Sequence, residues 1–445
     1  MNTGLLSPVW PGTGMDTLLA DEAWVEAMLS VEVALARTQA RLGVIPAAAV
    51  APIAEAAGSA HLDVADLAVR ARGAGNPVVE LVSELTAAVA RLDEGAAEFV
   101  HRGATSQDIL DSATMVLAAR ALRRVDADLC RVANALARLA DDHRNTPMAG
   151  RTLTQHAVPT TFGLKAAGWL TLVLDALERL RRTALPVQVG GAAGTLAAYV
   201  EYAKAAGVPA EGHALALTEG VAAELGLPVP AAPWHTQRTP VLDLGWVCAA
   251  VTGALGKLGL DVLGASRTEV GEVAEPAGGS SSAMPQKRNP VLSALLVSAA
   301  RQAPAYAAIL AQSMLAEDER SGGGWQSEWQ PLRESLLLAG GAAHTAAELV
   351  EGLRVFPDRL AVNLGLSGGL IVTERVNVVL APVLGKAAAK KLLGEIAARP
   401  GSFADRLRDI PELRDDLDEL LDPANYLGAA GELVDRVLAR KATLA

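Results

Sequence analysis

The residues best suited to chemistry lie in one run, Gly278 to Pro290, GGSSSAMPQKRNP. Glycines and serines free the backbone to wrap a ligand, and Lys287 and Arg288 set two positive charges beside it. Asn289-Pro290 then opens a helix whose first N–H groups point the same way. Such a set suits an anion. A solvated Gly/Ser linker is the competing reading; the apolar pair Met284-Pro285 inside the run and the helix start at its end argue against it. A second polar run, Thr105-Ser106-Gln107-Asp108, opens another helix. Taken locally it is a capping motif, with Ser106 or Asp108 closing the first turn, although hydroxyls and N–H groups at a helix tip can also bind a carboxylate.

These residues need long elements to hold them. From Ser106 to Asp142 the apolar positions Leu122, Val125, Leu129, Val132, Leu136 and Leu139 recur in steps of three and four, which predicts one helix of roughly 50 Å packed lengthwise. A second helix starts at Thr239-Pro240 and carries the stripe Leu244, Val247, Val251, Leu255, Leu258 and Val262. Its glycines, Gly245, Gly253, Gly256 and Gly259, imply close approach of a neighbouring backbone. A third begins at Asn289-Pro290, passes Leu292, Leu295, Leu296 and Ala299, and meets Pro304. A fourth is expected from Glu328 to Arg354. Earlier helices are expected over Glu22–Leu42 and Pro77–Phe99, and shorter ones follow Phe356, broken by Pro400, Pro411 and Pro423. The expected organisation is an N-terminal helical domain over 1–104, a central bundle over 105–355 and a C-terminal helical domain over 356–445.

The composition agrees. The chain has 445 residues, 51% of them hydrophobic but only 3% aromatic, so an all-β core is excluded in favour of close-packed aliphatic helices. With 39 basic and 50 acidic residues the net charge of -11 argues against a nucleic-acid carrier, which needs a basic face. Cys130 and Cys248 are far apart and have neither disulfide nor metal spacing. The opening residues lack a basic segment followed by an apolar run, and nowhere do about 18 uncharged apolar residues follow one another, so the expectation is a cytoplasmic protein with no membrane partner.

Three blocks together resemble the fumarase/aspartase superfamily: GGSSSAMPQKRNP; HRGATSQDILDSA from His101 to Ala113; and GRTLTQHAVPTTFG from Gly150 to Gly163. The likeness continues through Trp234–Glu275, EDERSGGGWQSEWQPLRE from Glu317 to Glu334, and DPANYLGAA from Asp422 to Ala430, so it covers nearly the whole chain. Within the superfamily the chain is most similar to the bacterial 3-carboxy-cis,cis-muconate cycloisomerases. The resemblance implies an all-α protomer of three domains and a homotetramer whose active sites are shared between subunits. It implies no metal or organic cofactor and a small polycarboxylate substrate. It also implies a reaction in which a proton moves at a carbon beside a carboxylate; the dianionic intermediate needs convergent N–H groups and cations.

By the same resemblance the catalytic serine falls on Ser281, with Ser282 as second candidate because a third serine, Ser280, replaces a commoner glycine. A free hydroxyl is a poor base, so Lys287 must lower its pKa, or the serine acts as the neutral acid. Lys287 and Asn289, with Met284 in the loop, match the positions that hold a substrate carboxylate. Thr105, Ser106 and Gln107 match substrate contacts, His101 and Gln155 are further polar contacts, and Arg320 is the added cation. Arg333 and Glu334 read as a pair across a helix face. Adenylosuccinate lyases carry histidine where Leu153 stands here and another near Gly75-Asn76-Pro77, so the purine reaction loses its acid/base groups. His156 reads as structural, and Gln286 and Gln326 stand where relatives often have histidine. Trp325 and Trp329, four apart, share a face and read as packing.

The expected activity is cycloisomerisation of 3-carboxy-cis,cis-muconate to a carboxymuconolactone, in protocatechuate breakdown. The alternative is β-elimination of fumarate from a substituted succinate of the adenylosuccinate, argininosuccinate or nitrosuccinate type. A catalytically silent structural relative is the third reading, opposed by the intact Ser281, Lys287 and Asn289.

Overall fold

The computed structural model of the chain describes residues 4–60, 62–276, 279–280, 284, 286–399, 402–413 and 417–444. In chain order the main elements are α1 (Asp21–Arg41), α2 (Val50–Ser59), α3 (Val64–Ala74), α4 (Val78–Leu92), α5 (Ser106–Asp142), β1 (Pro147–Thr152) and β2 (Gln155–Thr161). Next come α6 (Phe162–Arg182), α7 (Ala197–Ala205), α8 (His213–Leu225), α9 (Thr239–Ala265), β3 (Val273–Ala274), β4 (Gly279–Ser280), β5 (Arg288–Asn289) and α10 (Val291–Gln312). The chain closes with α11 (Gly324–Glu351), β6 (Arg354–Val355), α12 (Pro357–Leu364), α13 (Thr373–Leu384), α14 (Lys386–Ala398) and α15 (Ala430–Leu444). The fold is all-α, with three two-stranded ribbons among the described residues.

The long helices follow their apolar stripes. On α5, Leu122, Val125, Leu129, Val132 and Leu136 are each at most 5% exposed; Leu139 is only half-buried, and Ala140 continues the seam instead. On α9 the whole predicted stripe, Leu244 to Val262, is buried. The glycine argument holds at two positions. A Cβ on Gly245 would stand 2.8 Å from Leu310 Cδ1, and one on Gly259 would stand 2.9 Å from Ser293 O, so α9 and α10 touch through missing side chains. Among the described residues of the chain, Gly253 meets nothing within 4 Å.

Helix ends depart from expectation for local reasons. The predicted Pro77–Phe99 helix stops at Leu92, because Asp93 is extended (φ -156°) and its carboxylate accepts from Gly95 N and Ala96 N to start a separate turn. The fourth helix begins at Gly324, a turn earlier than expected, where Ser321 Oγ accepts from Trp325 N at 3.1 Å.

The chain divides into two compact units, one of Met1–Ala127, Arg179–Gly253 and Ser298–His344, the other of Asp128–Glu178, Ala254–Val297 and Thr345–Ala445. In the first, α1 lies against α8 so closely that a Cβ on Gly220 would come within 2.4 Å of Thr38 Cγ2. In the second, β1 and β2 form an antiparallel hairpin packed on α12. Nearer the C-terminus α13, α14 and the turns after them share a core of Val376, Leu380, Leu393, Phe403 and Leu407.

Two helices, α9 and α10, are long and apolar enough by composition to span a bilayer, yet they carry Asp243, Lys257, Asp261 and Arg301. Trp246 (50%) and Leu260 (54%) are exposed on α9, and Val291 (41%) and Ile309 (37%) on α10, so apolar surface remains uncovered in one chain.

Candidate active site

The first unit gathers His101, Thr105, Ser106, Gln107 and Arg320 around the N-terminal tip of α5. Thr105 and Ser106 are half-exposed there. Asp108 does cap the helix, accepting from Thr105 N at 3.2 Å, but it does much more. Only 2% exposed, its carboxylate also accepts from Gly190 N (2.8 Å), Gly191 N (2.9 Å) and Tyr199 Oη (3.1 Å), and meets His235 Nε2 (2.9 Å). A buried carboxylate needs such a set of partners to offset its lost hydration. Gly190 has to be glycine, because a Cβ would lie 2.6 Å from His235 Cε1. Burial, reinforced by the Asp108 charge, pushes the Tyr199 phenol well above its usual pKa.

One turn on, Asp111 is held by Arg238, with Nη1 to Oδ2 at 2.6 Å and Nη2 to Oδ1 at 3.2 Å, and by Trp325 Nε1 at 2.9 Å. Arg238 is shared with Glu328, reached by its Nε at 2.9 Å and by its Nη2, and lies over the Trp234 ring at 4.8 Å. Burial raises the Glu328 pKa in spite of Arg238. Gln107, 1% exposed, donates to Asp111 Oδ2 (3.1 Å) and His235 O (3.0 Å) and accepts from Arg320 Nη1 at 3.1 Å. Arg320 Nη2 donates to Ala192 O at 2.9 Å. Its guanidinium is therefore fixed by two neutral oxygens, and among the described residues no carboxylate pairs with it.

His101 sits at φ 55°, a left-handed conformation unfavourable for a side-chain-bearing residue. Its Nδ1 meets Glu32 Oε1 at 2.6 Å, and Glu32 is 2% exposed. Burial pulls the His101 pKa down, but the Glu32 charge and hydrogen bond outweigh it and the net shift is upward. Gln326 Nε2 donates to Gly75 O at 3.2 Å, joining two places singled out for lacking histidine.

The second unit holds Gln155, Met284, Lys287 and Asn289. Gln155 ends the hairpin opposite Thr152, exposed, with Nε2 on Thr154 Oγ1 at 3.4 Å. Leu153 and Thr154 form the two-residue tip at φ 47° and 69°, and Leu153 is 96% exposed. Within the signature run the described residues of β4 and β5 pair, placing Gly279 opposite Asn289, and Lys287 N donates to Met284 O at 3.0 Å. Met284, Gln286 and Lys287 are exposed. Ser281 and Ser282 lie outside the described residues. The expectation that the first N–H groups of α10 face a ligand is corrected in part: Leu292 N (3.0 Å) and Ser293 N (2.8 Å) donate to the buried Glu275 carboxylate. Arg151 pairs with buried Glu272 through both terminal nitrogens.

Among the other expectations, Arg333 hydrogen-bonds Asp21 at 2.6 Å and Glu334 accepts from Gln330 at 2.9 Å, while the nearby Arg333 charge still opposes the rise that burial causes in the Glu334 pKa. Trp325 and Trp329 meet edge to face at 4.9 Å. Trp329 also lines a cavity of about 230 Å³ with Trp24, Met28 and Leu110. Sequence reasoning missed Asp111, Gly190-Gly191-Ala192, Tyr199, His235, Arg238 and Glu328 as supports. Adjacent glycines at 190 and 191 were the available signal. Among the described residues no group of three or more His, Cys, Asp or Glu could hold a metal ion.

An arginine at a helix tip over a buried charge network, in an all-α frame of long helices, is an arrangement suited to binding a carboxylate. The chain belongs to the lyase family of the fumarase/aspartase superfamily: the family model "Lyase" matches residues 14–304, and "Adenylosuccinate lyase C-terminus" matches 369–437. It is 56% identical to nitrosuccinate lyase of Streptomyces davaonensis, over 98% of this chain and 95% of that one. It is 44% identical to 3-carboxy-cis,cis-muconate cycloisomerase of Pseudomonas aeruginosa, over 96% and 94%. Among solved structures it is similar to the 3-carboxy-cis,cis-muconate lactonizing enzyme of Pseudomonas putida, with TM-score 0.91, 37% identity and 99% of each chain covered.

Proposed function

We propose that the protein is a β-elimination lyase that releases fumarate and nitrite from nitrosuccinate. The observation that carries this reading is the 56% identity to a nitrosuccinate lyase against 44% to a cycloisomerase, each over nearly full length. It reverses the order of the two activities expected from motifs alone. In nitrosuccinate the C–H bond beside one carboxylate breaks, its proton passes to a base and its electron pair delocalises into the carboxylate. That pair then forms the C=C bond while the C–N bond breaks and nitrite leaves with the bonding electrons. Ser281 is the proposed base, with Ser282 second. In the first unit Arg320 and the α5 tip at Thr105 and Ser106 are proposed carboxylate contacts, and in the second Lys287 and Asn289 are, where charge develops. Nitrite is a stable anion and departs without a proton, which fits leucine at position 153 where a purine lyase has histidine.

Lactone formation from 3-carboxy-cis,cis-muconate is the second reading, favoured by the TM-score of 0.91 to a lactonizing enzyme. Both are tested in one experiment: purified protein mixed separately with nitrosuccinate and with the muconate, following nitrite and fumarate in the first and the diene absorbance in the second. Nitrite in step with fumarate supports the elimination. Loss of the diene band with no nitrite would replace it by the cycloisomerase.

We further propose a cytoplasmic homotetramer with shared sites, in which other copies, not lipid, cover the exposed faces of α9 and α10. The separate match over 369–437 supports reading 356–445 as a C-terminal domain beside domains over 1–104 and 105–355.

A further inference from the structure

We infer that Asp111 and Arg238 are positioning residues that, through Gln107, aim the Arg320 guanidinium at a carboxylate of a bound C4 dicarboxylate. The inference rests on the site reading proposed above and adds to it residues that touch no substrate.

Arg320 belongs to the segment between α10 and α11, where Asp318 (φ 52°) and Gly323 (φ 102°) turn the chain. A long side chain on such a segment has many rotamers, and holding one of them costs entropy unless other groups fix it. Two acceptors do so: Gln107 Oε1 at 3.1 Å and Ala192 O at 2.9 Å. Both are neutral. Among the described residues no carboxylate lies within ion-pair distance of Arg320, and of its five N–H bonds these contacts take two, so charge and donors remain for a ligand.

The orientation of Gln107 is decided below it. An amide can be turned end for end, but here its NH₂ faces Asp111 Oδ2 (3.1 Å) and His235 O (3.0 Å), both acceptors, so its oxygen has to face Arg320. Asp111 in turn cannot rotate, because Trp325 Nε1 and the two terminal nitrogens of Arg238 occupy its oxygens. Arg238 is clamped by Glu328 and the face of Trp234. Gln107, Asp111, Arg238 and Glu328 are each 3% exposed or less, so the relay runs from dry interior to a half-buried cation. The relay sets two carboxyl groups, those of Asp111 and Glu328, against the one guanidinium of Arg238.

The test is a double-mutant cycle read by calorimetry of fumarate binding to the intact oligomer. Asp111→Asn is expected to weaken fumarate about tenfold in the wild-type background and less than about twofold when Arg320 is already alanine. Trp325→Phe, which keeps an aromatic side chain and removes one donor to Asp111, is expected to do the same to a smaller degree and serves if Asp111→Asn fails to fold. Equal weakening in both backgrounds would overturn the proposal, since a purely structural defect is blind to Arg320. Failure of the wild-type protein to bind fumarate would overturn it as well. Fumarate binding with the predicted coupling, but no turnover of nitrosuccinate, would sustain the positioning and refute only the proposed reaction.

Discussion

Asp108 shows how little a residue's type says about its work. By position it is an N-terminal capping group worth about 1 kcal/mol, yet three further donors and His235 meet its carboxylate, and replacing it strips a whole loop of its anchor. The His101–Glu32 pair makes a sharper claim. Because Glu32 raises the His101 pKa above 6.5 in the fold against the pull of burial, protonated histidine stabilises the native state. That contribution is full below about pH 6.5 and is lost as the pH rises through the raised value. His101→Asn should therefore lower the melting temperature more at pH 6 than at pH 9; an equal loss at both would mean the pair contributes through packing alone. Activity of the same variant should fall at all pH values if His101 contacts substrate.

At the scale of the element, α9 and the hairpin carry opposite lessons about glycine. Gly259→Ala would place a Cβ 2.9 Å from Ser293 O, so it should destabilise despite alanine's better helix propensity. Gly253→Ala meets nothing within 4 Å in the chain and should gain about 0.5–1 kcal/mol, seen as a higher urea midpoint. The hairpin tip is the reverse case: Leu153 and Thr154 hold positive φ where Asn-Gly is the low-strain choice. Leu153→Asn with Thr154→Gly is expected to raise the melting temperature by a few degrees, since relieving each left-handed residue is worth ~1 kcal/mol. A lower melting temperature would mean that the leucine is itself packed in the assembled protein.

For the whole molecule, Trp246 and Leu260 stand exposed on α9 and would be covered in the proposed homotetramer. Light scattering should give a mass near four times 45.9 kDa, and Trp246→Glu should shift it towards the protomer with helix content retained and activity lost. A wild-type mass equal to one chain would remove the shared-site proposal. If assembly holds, Gly253→Ala failing to stabilise would mark where a second helix lies.

The sequence alone determined the helical class, because the three- and four-residue spacing of Leu122 to Leu136 and of Leu244 to Val262 is a local property that survives any packing. It also determined the family, because the run ending in SAMPQKRNP and the TSQD block are contiguous. The hairpin at 147–161 stayed illegible: its tip, Leu-Thr, lacks the residues that usually announce a tight turn. So did the relay under Arg320. Asp111, Arg238 and Glu328 are 127 and 90 residues apart in turn, and an ion pair between such positions exists only once α5, α11 and the residue before α9 have converged. Only the tertiary structure decided that Gln107 supports a cation from below and that Glu275 occupies the first amides of α10.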